Sequence, residues 1–237
     1  MVYLYGITKA LRHPVERKRG IDAAPLCYVH RDGLTAVMSA VEASPLSPTP
    51  RRMWQHEQVV EALMARQPVL PARFSTHYAS EEALSARLRE CRVIYGDHLQ
   101  RLEGCVELGF RVIRLWEPEH GGDGISGTVY PELAASEKDS RTFDFVKRAA
   151  AAQQASPYRG DESLGALICE ALDAFAEDQQ IQVDTGWGAL VHAAYLVKQN
   201  RLREMQQAMR RLMQAYPHLH FLCTGPWPPY HFAPPLG

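Results

Sequence analysis

The sequence has no pair of cysteines at Cys-x-x-Cys spacing. Its five cysteines (Cys27, Cys91, Cys105, Cys169 and Cys223) are scattered and odd in number. That argues against a disulfide framework and against a zinc ribbon as the organising device, and reduced thiols in a cytosolic compartment are the simplest reading. An excess of either charge is missing too. Lys and Arg number 26 against 27 Asp and Glu, for a net charge of −1. There is no global electrostatic case for nucleic acid or for an anionic membrane, although basic residues can still cluster locally. No apolar run approaches the roughly 18 residues that would suggest a spanning helix. The first residues lack a charged region followed by an apolar core, so no signal peptide is expected.

The short motifs of catalysis are also scarce. There is no Gly-x-Ser-x-Gly elbow and no Gly-x-x-x-x-Gly-Lys-Ser/Thr loop. His56-Glu57 is half of a zincin motif, with Val60 where the second histidine would stand; one imidazole does not make a zinc site, and helix-surface or structural roles fit better. His218 and His220 alternate on an expected strand without a ligand set around them. Gly122-Asp-Gly-Ile-Ser-Gly127 matches G-x-G-x-x-G, but Glu117 to His120 separates it from the strand before and Thr128 to Pro131 from the helix after. Helical amides would not face a pyrophosphate there, so a surface loop is the better reading. No cofactor and no metal are expected. An enzyme whose site assembles only in space stays open as a rival.

What is present is a chain of 237 residues with an apolar fraction of 46%, enough for one large domain or two small ones. Val2 to Ile7 reads as a strand, and Arg12 to Asp22 as a polar surface loop. Leu26 to His30 and Leu34 to Val41 flank Asp32-Gly33, a strong hairpin signal because glycine supplies the positive φ of a tight turn. Ala43 to Arg52 is a Ser/Pro connector, and Trp54 to Arg66 a helix. Val69 to Thr76 is a strand candidate in which Pro71 either demotes the strand toward a sheet edge or stands at its start. Ser80 is an N-cap for one long helix carrying Leu84, Leu88, Cys91, Tyr95, Leu99 and Leu102. Gly104 ends it and marks the expected boundary between domains 1–103 and 104–237.

The second half reads as a strand from Cys105 to Trp116, a Pro/Gly loop to Gly127, helices over Leu133 to Gln154 and from near Asp161 to Phe175, and a stretch from Trp187 whose second half is strand. Asn200 then caps a helix that Pro217 stops, and His218 to Cys223 is the last strand. Both halves are α+β patterns, the second compatible with a split βαβ unit of ferredoxin type with an expanded first helical segment. Met205, Met209 and Met213 form a stripe on the late helix. Core packing is the favoured reading, with an adaptable partner face as the alternative.

The run Cys223-Thr-Gly-Pro-Trp-Pro-Pro-Tyr-His-Phe232 closes the chain's chemistry. Its prolines exclude helix interior and central strand. The rings of Trp227, Tyr230 and Phe232 need cover, from this chain or from a partner. The structural reading is favoured, with Trp227 and Tyr230 pinning the C-terminus across the junction between the halves.

Thr224-Gly225-Pro226-Trp227-Pro228-Pro229-Tyr230 resembles the closing motif of the gas vesicle protein GvpF/GvpL family. The resemblance spans nearly the whole chain. Tyr3-Leu-Tyr5-Gly-Ile7 looks like the family's opening strand. Trp54 with His56-Glu57 looks like its first helix, and Val69-Leu-Pro71-Ala-Arg73-Phe74-Ser-Thr76 is similar to its Leu-Pro-x-Arg-Phe-Gly-Thr segment. Ala193-Ala-Tyr195-Leu-Val197 is similar to a late strand. Ser75 stands where glycine is usual, implying less need for backbone freedom there. Cys223 and His231 depart beside the tail motif.

The resemblance implies a non-enzymatic, cytoplasmic accessory or minor protein of gas vesicle formation. It implies two α+β domains, the second a modified ferredoxin fold, and as partners the hydrophobic shell subunit and other gas vesicle accessory proteins. The candidate structural or contact residues are Tyr3, Tyr5, Trp54, Glu57, Pro71, Arg73, Phe74, Tyr195, Met205, Met209, Met213, Gly225, Pro226, Trp227, Pro228 and Tyr230. Arg73 is expected to pair with Glu57 and fix helix against strand. A ferredoxin-like small-molecule-binding or regulatory module is the alternative.

Overall fold

The computed structural model describes residues 1–11, 15, 19–42, 45–114, 162–182, 189–217 and 219–237. The glycine-rich motif and the helix expected over Leu133 to Gln154 lie outside the described residues.

Strand β1 (Val2–Lys9) is the centre of the first sheet. β2 (Cys27–Arg31) and β3 (Leu34–Ala40) form a hairpin with Arg31 opposite Leu34. The turn residues Asp32 (φ 49°) and Gly33 (φ 84°) both take positive φ, the geometry that matches the twist of the flanking strands. β4 (Val69–Pro71) and β5 (His77–Tyr78) pair with the other side of β1, and the order is β2-β3-β1-β4, all antiparallel. Pro71 therefore sits on an edge strand, where its missing amide hydrogen breaks no ladder.

Helix α1 (Pro50–Met64) covers one face of this sheet. Its Val59, Val60 and Leu63 pack with Tyr3, Tyr5, Val37 and Val69. The other face lies under α2 (Glu81–Glu90) and α3 (Arg92–Arg101), where Leu84, Leu88, Tyr95 and Leu99 meet Leu4, Ile7, Ala36 and Leu70. A bulge between Leu4 and Gly6 breaks the alternation, so Leu4 and Ile7 share a face although three residues apart.

The second sheet contains β6 (Cys105–Arg114), β7 (Asp178–Gln182), β8 (Ala189–Lys198) and β9 (Leu219–Trp227), ordered β7-β8-β6-β9 and antiparallel throughout. Helices α4 (Glu162–Asp173) and α5 (Leu202–Ala215) pack on one face. Ile168, Leu172, Met205 and Met209 close there over Phe110, Val112, Val191 and Tyr195. On the opposite face Ala194 and Leu196 join the core beneath α2 and α3. His192, Gln180 and Gln182, also on that face, stay exposed.

Several expectations need correction. Helix α1 begins at Pro50, not Trp54: the Thr49 hydroxyl accepts from the Arg52 amide, and proline suits the first helical turn. The segment 69–76 is not one strand. It leaves the sheet after Pro71, and Ser75 adopts φ 70°, so the backbone there does use the left-handed region that favours glycine. The Ser75 hydroxyl offsets this by accepting from the Leu46 amide, and the Ser75 amide donates to the Tyr3 hydroxyl.

The long helix is two helices bent at Cys91 (φ −96°, ψ 13°), which lets α2 lie over β2 and α3 over β1 and β4. Asn200 caps nothing; it sits in a 3-10 turn, Gln199–Arg201, ahead of α5. β8 is strand throughout rather than in its second half only, because β6 and β7 flank it on both sides. β7, polar and on an edge, gave no hydrophobic pattern and was not anticipated. The stretch before Asp22 is not simply surface: Val15 and Ile21 are buried. β9 runs four residues beyond Cys223, and Pro226 is accommodated because β9 is an edge strand.

Candidate functional site

The tail after β9 crosses from the second sheet to the first. The Tyr230 hydroxyl donates to Glu57 Oε2 on α1 at 2.8 Å. The His231 amide donates to Glu107 Oε2 at 2.9 Å, and His231 Nδ1 lies 2.6 Å from Glu107 Oε1. Glu107 is buried in β6, so its carboxylate is satisfied by the tail rather than by water. Gln180 Nε2 on β7 donates to the His231 carbonyl at 2.5 Å. Phe232 and Leu236 then bury in the core under α2 and α3, and the Tyr78 hydroxyl donates to the Leu236 carbonyl.

Where the tail meets α1 and the segment after β4, they enclose an open hollow of about 390 Å³. Met53, His56, Glu57, Arg73, Phe74, Tyr230 and His231 line it. Its floor is a buried polar chain. The Tyr3 hydroxyl lies 2.8 Å from His56 Nδ1, and His56 Nε2 lies 2.9 Å from the Ala72 carbonyl. A carbonyl can only accept, so Nε2 carries the proton and Nδ1 accepts from Tyr3. Burial disfavours the imidazolium and lowers the His56 pKa to about 4, opposed only by the bond to Ala72. The neutral ring is held rigid, and it stacks on Tyr5 at 5.7 Å between centroids. Tyr5 is fixed in turn by donating to Ser39 Oγ and accepting from the Ile21 amide. Burial, followed by the neighbouring Glu57 carboxylate, drives the Tyr230 pKa well above the phenol range, so the phenol stays protonated as the donor.

The structure brings together Tyr3, Tyr5, Glu57, Arg73, Phe74 and Tyr230, which are far apart in sequence. Pro71 lies buried in β4 just before them, and Trp54 stands 53% exposed on α1 beside Met53. The cross-fold bond that Glu57 makes is to Tyr230, and Arg73 is an exposed neighbour in the same hollow.

Tyr195 is elsewhere, in the second sheet's core against Phe110. Met205 and Met209 are buried there, while Met213 is 43% exposed. In β9, Gly225 and Pro226 are exposed, and Trp227 pairs half-buried with Glu107. Gly225 (φ 108°) is required by close approach, since a Cβ there would lie 2.7 Å from the Glu107 carbonyl. Pro228 is buried next to it.

Sequence reasoning missed Met53, Glu107 and His231 as site residues, and read His56 only as a helix-surface or structural residue. For Glu107 a signal existed: a lone acid inside the apolar run Cys105-Val-Glu-Leu108. Met53 and His231 carried none.

The molecule is thus a mixed α+β protein of two antiparallel sheets joined by helices and a folded-back tail. Among the described residues, no cluster of His, Cys, Asp and Glu could hold a metal, and no helix is long and apolar enough to cross a membrane. The model of the gas vesicle synthesis protein GvpL/GvpF family matches residues 1–234, and the chain belongs to that family. It is 29% identical to gas vesicle protein F of Streptomyces sp. (strain CB03234), covering 97% of this chain and 98% of that one. Gas vesicle protein L of the same organism is 25% identical, over 98% and 92%. The crystal structure of GvpF from Anabaena sp. PCC7120 superposes with a TM-score of 0.72 at 17% identity, covering 98% of this chain and 95% of that one.

Proposed function

We propose that this chain is a cytoplasmic, non-enzymatic accessory or minor structural protein that binds the hydrophobic gas vesicle shell subunit or sibling accessory proteins and assists vesicle assembly. A subunit that forms an apolar wall cannot bury that surface alone and aggregates when free. An accessory protein must offer it a complementary surface. The observation that carries the reading is that Met53 and Trp54 stand exposed on α1 beside the hollow, while the tail aromatic Phe232 is consumed inside the fold. Methionine, tryptophan and arginine are residue types enriched in binding surfaces. Names of the relatives, gas vesicle proteins F and L, support the cellular setting.

The same reading divides the chain at Gly104 into two α+β domains. The order β7-β8-β6-β9, with a helix following β6 and another following β8 along the chain, supports a modified ferredoxin-like second domain.

Co-expression with the shell subunit and the accessory proteins of the same gene cluster, followed by size exclusion, tests the proposal. A soluble complex of defined size is expected, weakened by Trp54→Ala. Shell protein that aggregates regardless, with no sibling co-eluting, would sink it.

A further inference from the structure

Three stretches that carry the family resemblance converge on the hollow: Trp54 to Glu57, Pro71 to Phe74, and the tail at Tyr230. Its groups divide cleanly by chemistry. Met53 and Phe74 supply apolar wall. Glu57 is engaged by Tyr230, and His231 commits Nδ1 to Glu107, leaving Nε2 as the ring's remaining polar atom. Arg73 is exposed, and its guanidinium has no ion-pair partner among the described residues.

The opening therefore presents one uncommitted, permanently charged cation beside an apolar recess. We infer that the hollow is a docking site for an acidic, apolar segment of a partner protein, with an aromatic or long aliphatic side chain seated between Met53 and Phe74 and an adjacent Asp or Glu carboxylate paired to Arg73.

The volume fits this occupant. About 390 Å³ is at the low end of ligand sites and holds one large side chain with part of its neighbour. A free phosphate fits poorly, because its multiple charges would face the Glu57 carboxylate that also lines the hollow. A single carboxylate paired to Arg73 carries less charge against Glu57, and the apolar side chain beside it adds binding that offsets the remaining repulsion. Guanidinium geometry favours a carboxylate through two parallel hydrogen bonds. The tail contributes Tyr230 and His231, so the site exists in full only when the tail is folded back across both sheets. The inference rests on the proposed role as a binder of gas vesicle proteins and specifies how the partner is held.

The test uses the full-length chain with methionine methyl groups labelled with carbon-13. It is titrated with the peptide acetyl-Leu-Phe-Glu-amide, and in parallel with acetyl-Leu-Phe-Gln-amide. The chain has seven methionines, so Met53 reports and the other six act as internal controls. The Met53 methyl resonance should move with the Glu peptide, and the Gln peptide should bind about fivefold more weakly. Arg73→Gln should erase the difference while leaving the melting temperature unchanged. Equal binding of the two peptides, or no movement at Met53, would overturn the inference.

A second arm repeats the co-expression with Arg73→Glu and, as a control, Arg51→Glu, an exposed arginine at the start of the same helix. Loss of co-elution only for Arg73→Glu supports the site. Co-elution untouched by Arg73→Glu overturns the docking site and leaves the assembly role intact. Peptide binding at Met53 without co-elution of any cognate protein overturns the assembly role and leaves the chemistry of the hollow standing.

Discussion

The first sheet is covered by helices on both faces, α1 on one and α2 with α3 on the other, whereas among the described residues the second has its own helices, α4 and α5, on one face. The difference is visible along the central strands. In β1 every residue from Val2 to Thr8 is buried. In β8 the face bearing Val191, Ala193 and Tyr195 is closed, while His192 on the other face is exposed. The second sheet obtains the rest of its cover at one end from α2, α3 and the tail, where Leu196, Phe232 and Leu236 share one core. A surface borrowed in this way ties the two halves together more firmly than a linker would. It also explains why Glu107, on the borrowed face, is buried and answered by His231.

The comparison is broken most directly at the borrowed cover. Phe232→Ala empties a site 3% exposed and should cost about 3–5 kcal/mol, read as a lowered urea midpoint. A wild-type midpoint would mean that the tail only rests on the core.

The next effect belongs to the doubly covered sheet and depends on pH. His56 is depressed from 6.5 to about 4, so the unfolded chain takes up a proton that the folded one refuses. The contribution is complete above pH 6.5 and is lost as pH falls toward 4, about 3 kcal/mol over that window. Urea midpoints for the wild type and His56→Gln across this range should converge at low pH; parallel curves would contradict it.

A smaller effect sharpens the link between the halves. Tyr230→Phe and Glu57→Ala should be non-additive by about 1 kcal/mol in a double-mutant cycle, since each removes the same bond. Additive costs would make that bond incidental. The smallest effect concerns the methionine stripe on the second sheet's helix. Met213→Ala should change stability by less than about 0.5 kcal/mol, against about 2–5 for Met209→Ala. Equal losses in thermal melts would show that Met213 is covered in solution.

Periodicity and turn chemistry made much of the fold legible. Asp32-Gly33 marked its hairpin, Ser80 marked the start of α2, and the spacing from Leu84 to Leu102 marked a buried helical face. The same periodicity hid the bend at Cys91, because a kink changes direction without changing which residues are apolar. It also hid β7, whose edge position allows the polar run Asp178-Gln-Gln-Ile-Gln182. The candidate hollow was legible only in pieces. Trp54, Glu57, Arg73, Phe74 and Tyr230 stood out by type and by resemblance, but their meeting depends on contacts up to 173 residues apart.

The sequence by itself determined the class, the confinement of Pro71 to an edge strand or a strand start, the argument against a disulfide framework and the resemblance to one family, because these follow from local backbone chemistry and residue identity. Tertiary structure alone decided that Tyr230 rather than Arg73 makes the cross-fold bond to Glu57, that Ser75 takes a left-handed backbone, and that Glu107 and His231 clasp the tail. The physical reason is the same in each case. A buried polar group must find a partner, and which partner lies within reach is set by chain crossings that no local pattern encodes.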